Sequence, residues 1–159
     1  MQKPRNNRGI TMKPTARRLA RQYTVQALYQ WQLSQTSPTD IEVQFLTHQK
    51  MNKKTDFAYF KELIHAIPAQ YEELDNLMTP FLSRQVNELD PVELAILRLS
   101  TYELAKRIDI PYRVIINEAL ELTKKYGSVE GYKFVNGVLD HVAHQLRTLE
   151  ITAEKNDNT

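Results

Sequence analysis

Residues 15–31 read TARRLARQYTVQALYQW, and this stretch gives the clearest indication of the fold. Its apolar side chains recur at intervals of three or four residues, which is the spacing of an α-helix. One stripe of that helix carries Ala16, Ala20, Tyr23, Ala27 and Trp31. Another side carries three cations, namely Arg17, Arg18 and Arg21. The stretch therefore predicts a helix with one face in a core and a second, cationic face.

Charge is distributed unevenly along the chain. The first acidic residue is Asp40, so the first 39 residues contain seven of the 21 Lys and Arg residues and none of the 19 Asp and Glu residues. A cluster of positive charges raises the local electrostatic potential and attracts phosphates. The alternative interpretation is that these charges only form a solvated surface. We expect the cationic face to bind a polyanion. The formal net charge of +2 does not reveal the uneven distribution of charge between the first 39 residues and the rest of the chain.

Composition favours an all-helical protein. The chain has 159 residues, enough for one domain or two small lobes, and only four Gly, too few for a many-stranded sheet or a glycine-rich phosphate loop. There is no Cys, which excludes disulfides and thiolate metal sites. No apolar run has the length of a membrane span, so we expect a cytoplasmic protein without membrane contact. We also expect no cofactor.

Helix-breaking and helix-capping residues along the chain predict how it is divided into tails, lobes and helices. Residues 1–14 contain Pro, Gly and cations with almost no apolar anchor, so we expect a flexible basic tail, and residues 150–159 should form a disordered tail. Between them, residues 15–149 should form one helical domain of six or seven helices in two lobes, roughly 15–83 and 84–149. Asp90, Pro91 and Glu93 have the types and order of a helix N-terminus. The helix that follows is apolar on most sides and should be central.

The sequence offers little for catalysis. Four histidines, His48, His65, His141 and His144, include one pair three residues apart, but no third ligand stands at metal-site spacing. Arg98 and Glu118 each lie in an otherwise apolar helix, and a buried ion pair explains both better than a catalytic carboxylate does. We therefore predict neither catalytic nor metal-binding residues, and no enzyme activity.

Aromatic residues are further candidates for binding a polyanion, in particular single-stranded RNA. Tyr132, Lys133 and Phe134 place a cation between two aromatics at a predicted helix entrance, and such an arrangement suits single-stranded RNA. Phe134 could equally be a core residue. Tyr29, on the first helix, could belong to the core or to the surface.

Five blocks of sequence resemble the NusB family of transcription antitermination factors. They are ARRLARQYTVQALYQWQLSQ at 16–35, FLSR at 81–84, VELAILRLSTYEL at 92–104, IPYRVIINEALELTKKYG at 110–127 and KFVNGVLD at 133–140. Several blocks in a fixed order are more specific than any one of them, and together they span about residues 12–147.

The resemblance implies a fold of two three-helix lobes and a function in transcription. Members of this family pair with ribosomal protein NusE, bind the boxA element of single-stranded RNA and, with other Nus factors, help RNA polymerase read through terminators, notably in ribosomal RNA operons. On this chain the implied RNA-binding residues are Lys13, Arg17, Arg18, Arg21, Lys133 and Phe134. The implied contacts to NusE are Tyr29 and Glu93.

Two other functions remain open at this point. The chain could be a protein interaction module or a homodimer without specific RNA binding. NusB-like domains also occur fused to RNA methyltransferases, although this chain is too short for a methyltransferase domain and lacks a glycine-rich cofactor loop.

Overall fold

The structure is a computed structural model that describes the backbone of residues 3–157 and the side chains of residues 14–157. This part of the chain contains helices and no strand, so the predicted all-helical fold is confirmed. The eight α-helices are α1 (Lys3–Ser34), α2 (Pro38–His48), α3 (Phe57–Ala69), α4 (Tyr71–Met78), α5 (Pro91–Lys106), α6 (Tyr112–Tyr126), α7 (Val129–Leu146) and α8 (Thr148–Asp157). Two single 3-10 turns, Thr79–Phe81 and Val86–Glu88, connect α4 to α5.

The chain divides into two compact units, Met1–Ala69 and Gln70–Thr159. The predicted lobe boundary lay later, between residues 83 and 84. The difference comes from α4, whose acidic side chains form ion pairs with α5: Asp75 with Arg98 and Glu73 with Lys106. The first unit contains three α-helices, as expected, whereas the described part of the second contains five.

In the first unit, α1 packs against α2 and α3. Ala20, Ala27 and Leu28 of α1 are fully buried, and small side chains at this spacing let the helices approach closely. The rings of Phe45 and Phe60 lie 5.6 Å apart in the same core. The apolar face predicted from residues 15–31 is therefore present, although Tyr23 and Trp31 are only half-buried.

The N-terminal boundary of α1 differs from the expectation. The helix extends back to Lys3 and includes Pro14, whereas the sequence predicts a start near Thr15. Pro14 is the twelfth residue of this helix, where a proline removes one hydrogen bond and crowds the preceding turn, yet the backbone on both sides of it is helical. The side chains of residues 1–13 lie outside the described residues, so the flexible basic tail stays a prediction.

In the second unit, α5 is the central helix. All residues from 94 to 104 are buried, as the nearly uniform apolar sequence predicts. Its start is as expected, because Asp90 accepts hydrogen bonds from the backbone N–H groups of Val92 and Glu93, and Pro91 occupies the first helical position. A bidentate pair between Arg98 and Asp75, with N–O distances of 2.9 and 2.8 Å, fixes α4 on this helix.

Residues 148–157 form a helix, whereas the sequence predicted a disordered tail over residues 150–159. Ile151 is buried, and its neighbour Glu150 accepts a hydrogen bond from the backbone N–H of Tyr112 at the start of α6. An ion pair joins Arg113 to Glu154. Only one apolar side chain and two carboxylates fix this helix. The composition of the segment is therefore mostly polar, and it does not distinguish the segment from a disordered tail. Residues 158 and 159 lie outside the described residues.

Arg147 organises the end of α5 from the junction of α7 and α8. Its guanidinium is buried and donates to Glu150 and to four backbone carbonyls. These carbonyls belong to Glu103, Leu104, Arg107 and Ile110. The carbonyls at a helix C-terminus lack partners within the helix, so Arg147 acts as a side-chain cap.

None of the helices in the described part of the chain is both long enough and apolar enough to cross a membrane.

Candidate nucleic-acid interface

The three arginines of α1 differ in exposure. Arg18 is exposed and Arg17 is partly exposed, with 18% of its side chain accessible, whereas only 4% of Arg21 is accessible. The side chain of Lys13 lies outside the described residues. The sequence placed all three arginines on one cationic face, but the surface that a polyanion can reach is formed by Arg18 and the outer part of Arg17.

Tyr59 of α3 supports two of these arginines. Its buried ring lies 4.6 Å from the guanidinium carbon of Arg17 and 5.6 Å from that of Arg21. Cations at these distances from an aromatic ring are attracted by its quadrupole. Tyr59 therefore fixes the positions of both guanidinium groups, and Arg21 belongs to the support of the surface and not to its exposed part.

Asp56 links the N-terminus of α3 to α1. Its carboxylate accepts a hydrogen bond from the backbone N–H of Tyr59, and its own N–H donates to the carbonyl of Ala16. The second carboxylate oxygen lies 3.8 Å from Nε of Arg17. This Nε is buried and has no hydrogen-bond acceptor among the described residues. Asp56 thus offsets part of the positive charge of Arg17. Sequence spacing does not reveal this contact, because Asp56 lies 39 residues after Arg17.

In the second unit, Lys133 and Phe134 lie in the first two turns of α7. Lys133 is exposed and Phe134 is half-buried. Ser128 caps this helix by accepting a hydrogen bond from the N–H of Gly131. The guanidinium carbon of Arg84 lies 5.7 Å from the centre of the Phe134 ring. Phe134 is therefore not simply a core residue, because its ring contacts a surface cation.

An open pocket of about 420 Å³ lies at the turn between α6 and α7. Its lining residues are Lys124, Gly127, Ser128, Val129, Tyr132 and Lys133. The Nζ atom of Lys124 lies 5.6 Å from the centre of the Tyr132 ring. Tyr132 and Lys133, two of the three neighbouring residues that the sequence analysis singled out, thus line a concave surface, whereas Phe134 does not line it.

The two residues implied as NusE contacts have different environments. Tyr29 is 41% exposed and Leu33, one turn later on α1, is also exposed, so Tyr29 belongs to the surface. Glu93 is half-buried at the first turn of α5. A Cβ atom at Gly131 would lie 2.5 Å from Oε2 of Glu93, so the absence of a side chain at Gly131 makes room for this carboxylate.

Burial raises the pKa of the Glu93 carboxyl above its ordinary value of 4.5, and the neighbouring Asp90 raises it further. The positive charge of Arg84 opposes both effects. The ionised form of Glu93 is therefore less favourable here than in water, which suits a carboxylate that gains a cationic partner on binding.

The histidines form no metal centre. Across residues 14–157 no three His, Asp or Glu side chains gather in a group able to hold an ion. His65 contacts Glu42 at 2.6 Å, and the ring of His141 stacks on Phe81 at 5.1 Å.

Comparison with known proteins identifies the family. The family model described as "NusB family" matches residues 18–144. The transcription antitermination protein NusB of Pectobacterium carotovorum is 56% identical over 136 residues, which cover 86% of this chain and 97% of that protein. The NusB protein of Pseudomonas fluorescens strain Pf-5 is 51% identical over 149 residues, covering 94% and 89% of the two chains.

A solved structure shares the fold. The crystal structure of antitermination factors NusB and NusE in complex with double-stranded RNA contains a chain that is 27% identical, with a TM-score of 0.73 over 80% of this chain and 96% of that one. The family model and these relatives each cover most of the chain, and this chain belongs to the NusB family.

Proposed function

We propose that this protein is a transcription antitermination factor that binds single-stranded boxA RNA together with ribosomal protein NusE. In this function it promotes read-through by RNA polymerase, notably in ribosomal RNA operons, as a non-catalytic member of a complex with other Nus factors in the cytoplasm. The observation that carries the proposal is the rigid arginine surface of α1 in a chain of the NusB family.

The first unit supplies the main phosphate contacts. Arg18 is exposed, and Arg17 presents part of a guanidinium that is seated on Tyr59. Guanidinium groups pair with phosphates through two parallel hydrogen bonds, and a fixed group loses less conformational entropy on binding. Lys13 adds charge one turn earlier in the sequence, and Arg21 keeps the adjoining part of α1 seated on Tyr59.

The second unit supplies an aromatic and a cation. Phe134 offers a ring against which a base or a planar cation can stack, and Lys133 provides a neighbouring positive charge. Stacking of bases on aromatic side chains contributes about 1–3 kcal/mol per base. This combination favours an unpaired strand over a duplex, whose bases are already stacked on each other.

The contact to NusE uses Tyr29 and Glu93. Tyr29 and Leu33 expose apolar area on α1, of the kind that anchors protein interfaces. Glu93 offers a partly desolvated carboxylate to a cationic side chain of the partner. A charge pair shielded from water is stronger than one on an open surface.

Binding titrations with labelled RNA test this function. Wild-type protein with NusE should bind single-stranded boxA RNA more tightly than a scrambled strand or a boxA duplex, and omission of NusE should weaken the binding. If about three phosphates are contacted, the logarithm of affinity should fall with the logarithm of salt concentration with a slope of about −2. Equal affinity for boxA and scrambled strands in the presence of NusE would contradict the proposal.

The alternatives give different results. An interaction module without RNA specificity predicts NusE binding or self-association that is indifferent to boxA. A protein related in function to RNA methyltransferases predicts heat on titration with S-adenosylmethionine, whereas we expect a flat calorimetric trace.

A further inference from the structure

Arg84 lies in the connection between α4 and α5, between the two 3-10 turns. It is exposed, and its guanidinium carbon is 5.7 Å from the centre of the Phe134 ring. An arginine placed over an aromatic ring is oriented by that ring, yet its N–H donors at the edge of the guanidinium plane stay accessible.

Arg84 differs from the other arginines of the second unit. Four of the five form an ion pair with a carboxylate, and they are Arg98, Arg107, Arg113 and Arg147. Within residues 14–157, no carboxylate lies at ion-pair distance from Arg84 and no acceptor takes a hydrogen bond from it. The fold therefore positions this guanidinium without using its hydrogen-bonding capacity.

The charges around Arg84 also favour an anionic ligand. Lys133 is exposed and directly precedes Phe134, so two cations flank one aromatic ring. Glu93 is close enough for Arg84 to lower the pKa of its carboxyl, although burial has the larger and opposite effect. Arg84 thus stands beside the proposed RNA residues and near a proposed NusE contact.

We propose that Arg84 is a further RNA-binding residue, and that it pairs with a phosphate of the single strand while its guanidinium stays seated on Phe134. The inference rests on the proposed function and adds a contact to it. A phosphate offers the oxygens that a planar guanidinium binds in pairs, and the absence of an ion pair means that no internal contact must be broken first.

The test compares Arg84→Gln with Arg113→Gln. Both variants remove one positive charge from an exposed side chain of the second unit. With NusE and single-stranded boxA RNA, Arg84→Gln should weaken binding about tenfold, since a charge-assisted contact is worth about 1.5 kcal/mol. It should also make the salt slope shallower by about 0.7. Arg113→Gln should leave both quantities close to wild type.

Arg84→Lys refines the test. The lysine keeps the charge but lacks the planar group, so the wild-type salt slope should persist while affinity falls moderately. A slope as shallow as that of Arg84→Gln would contradict a phosphate contact.

Failures of the two proposals are distinguishable. If wild-type protein binds boxA RNA but Arg84→Gln behaves like Arg113→Gln, the role of Arg84 is refuted and the proposed function stands. If Arg84→Gln loses NusE affinity and keeps RNA affinity without NusE, Arg84 serves the protein contact and the inference is wrong. If wild type shows no RNA affinity, the proposed function itself fails.

Discussion

At the scale of single residues, buried arginines carry much of the specificity of this fold. Arg21 rests on Tyr59, Arg98 pairs with Asp75, and Arg147 satisfies four backbone carbonyls. A cation taken out of water is tolerated only when hydrogen bonds or charges replace its hydration. Each of these arginines therefore links elements that are distant in the sequence.

Replacement of Arg147 by methionine should be strongly destabilising. The variant removes one donor from each of four carbonyls, because methionine has a similar length but no N–H group. The carbonyls of Glu103 and Arg107 keep a backbone N–H donor, whereas those of Leu104 and Ile110 lose the donor that Arg147 supplies. We expect the free energy of unfolding to fall by about 3 kcal/mol, measured by chemical denaturation. Arg113→Gln, on the surface, should leave it close to the wild-type value, because water screens exposed ion pairs. Equal stability of Arg147→Met and wild type would refute the capping role.

Glu93→Gln should separate stability from binding. Because burial raises the pKa of Glu93 above 4.5, the unfolded chain releases this proton at lower pH than the folded one, and ionisation opposes folding as pH rises. The variant should match or slightly exceed wild-type stability at pH 7, and the difference should vanish below about pH 4.5. Its affinity for NusE should fall. A loss of stability confined to neutral pH would show that the ionised form stabilises the fold.

At the scale of helices, the sequence predicted existence and type better than boundaries. Caps such as Asp90 with Pro91 act within four residues and could be recognised directly. At the start of α2 the sequence offers two candidates. Thr39 and Glu42 have the types and spacing of a capping pair, but Ser37 is the residue that accepts the N–H of Asp40. Local chemistry identifies a helix terminus, but neighbouring candidates of similar type compete for the position.

Helix α8 gives a direct test of the corrected C-terminus. Ile151 is 5% exposed and Leu149 is 88% exposed, so the two residues form a matched pair. Ile151→Ala should lower the free energy of unfolding by about 2 kcal/mol, and Leu149→Ala should change it by less than about 0.5 kcal/mol. If thermal unfolding shows the same small effect for both, residues 148–157 do not pack as described.

The glycines of α7 provide a second matched pair. A Cβ at Gly131 meets the Glu93 carboxylate, whereas a Cβ at Gly137 meets nothing within 4 Å, so the space beside Gly137 is open. Gly137→Ala should stabilise the helix by about 0.5–1 kcal/mol. Gly131→Ala should displace Glu93 and weaken NusE binding, measured by calorimetry. Identical NusE affinities for the two variants would contradict a positioning role for Gly131.

At the scale of the whole molecule, the charge asymmetry could be predicted from the sequence, and so could the core side of α1. What could not be predicted is which cations stay accessible. Arg17, Arg18 and Arg21 are equivalent on a helical wheel. Tyr59 of α3 covers Arg21, however, and Asp56, which directly precedes α3, partly neutralises Arg17. The contact of Arg84 with an aromatic ring could not be predicted either, because that ring belongs to Phe134, which lies 50 residues later.

In the proposed function, the exposed arginines of α1 bind RNA while the buried face of the same helix supports them. The most direct measurement is the affinity of the Arg17→Gln, Arg18→Gln double variant for single-stranded boxA RNA in the presence of NusE. Arg21 is left in place because its burial would confuse folding with binding. A Lys53→Gln, Lys61→Gln variant removes the same charge from exposed positions of the same unit.

We expect the arginine variant to lose at least about tenfold in RNA affinity, with a salt slope shallower by about 1.4, while its melting temperature and NusE affinity stay close to wild type. The lysine variant should lose much less. If the arginine variant binds boxA RNA as tightly as the lysine variant does, the arginine surface of α1 is not the RNA-binding site.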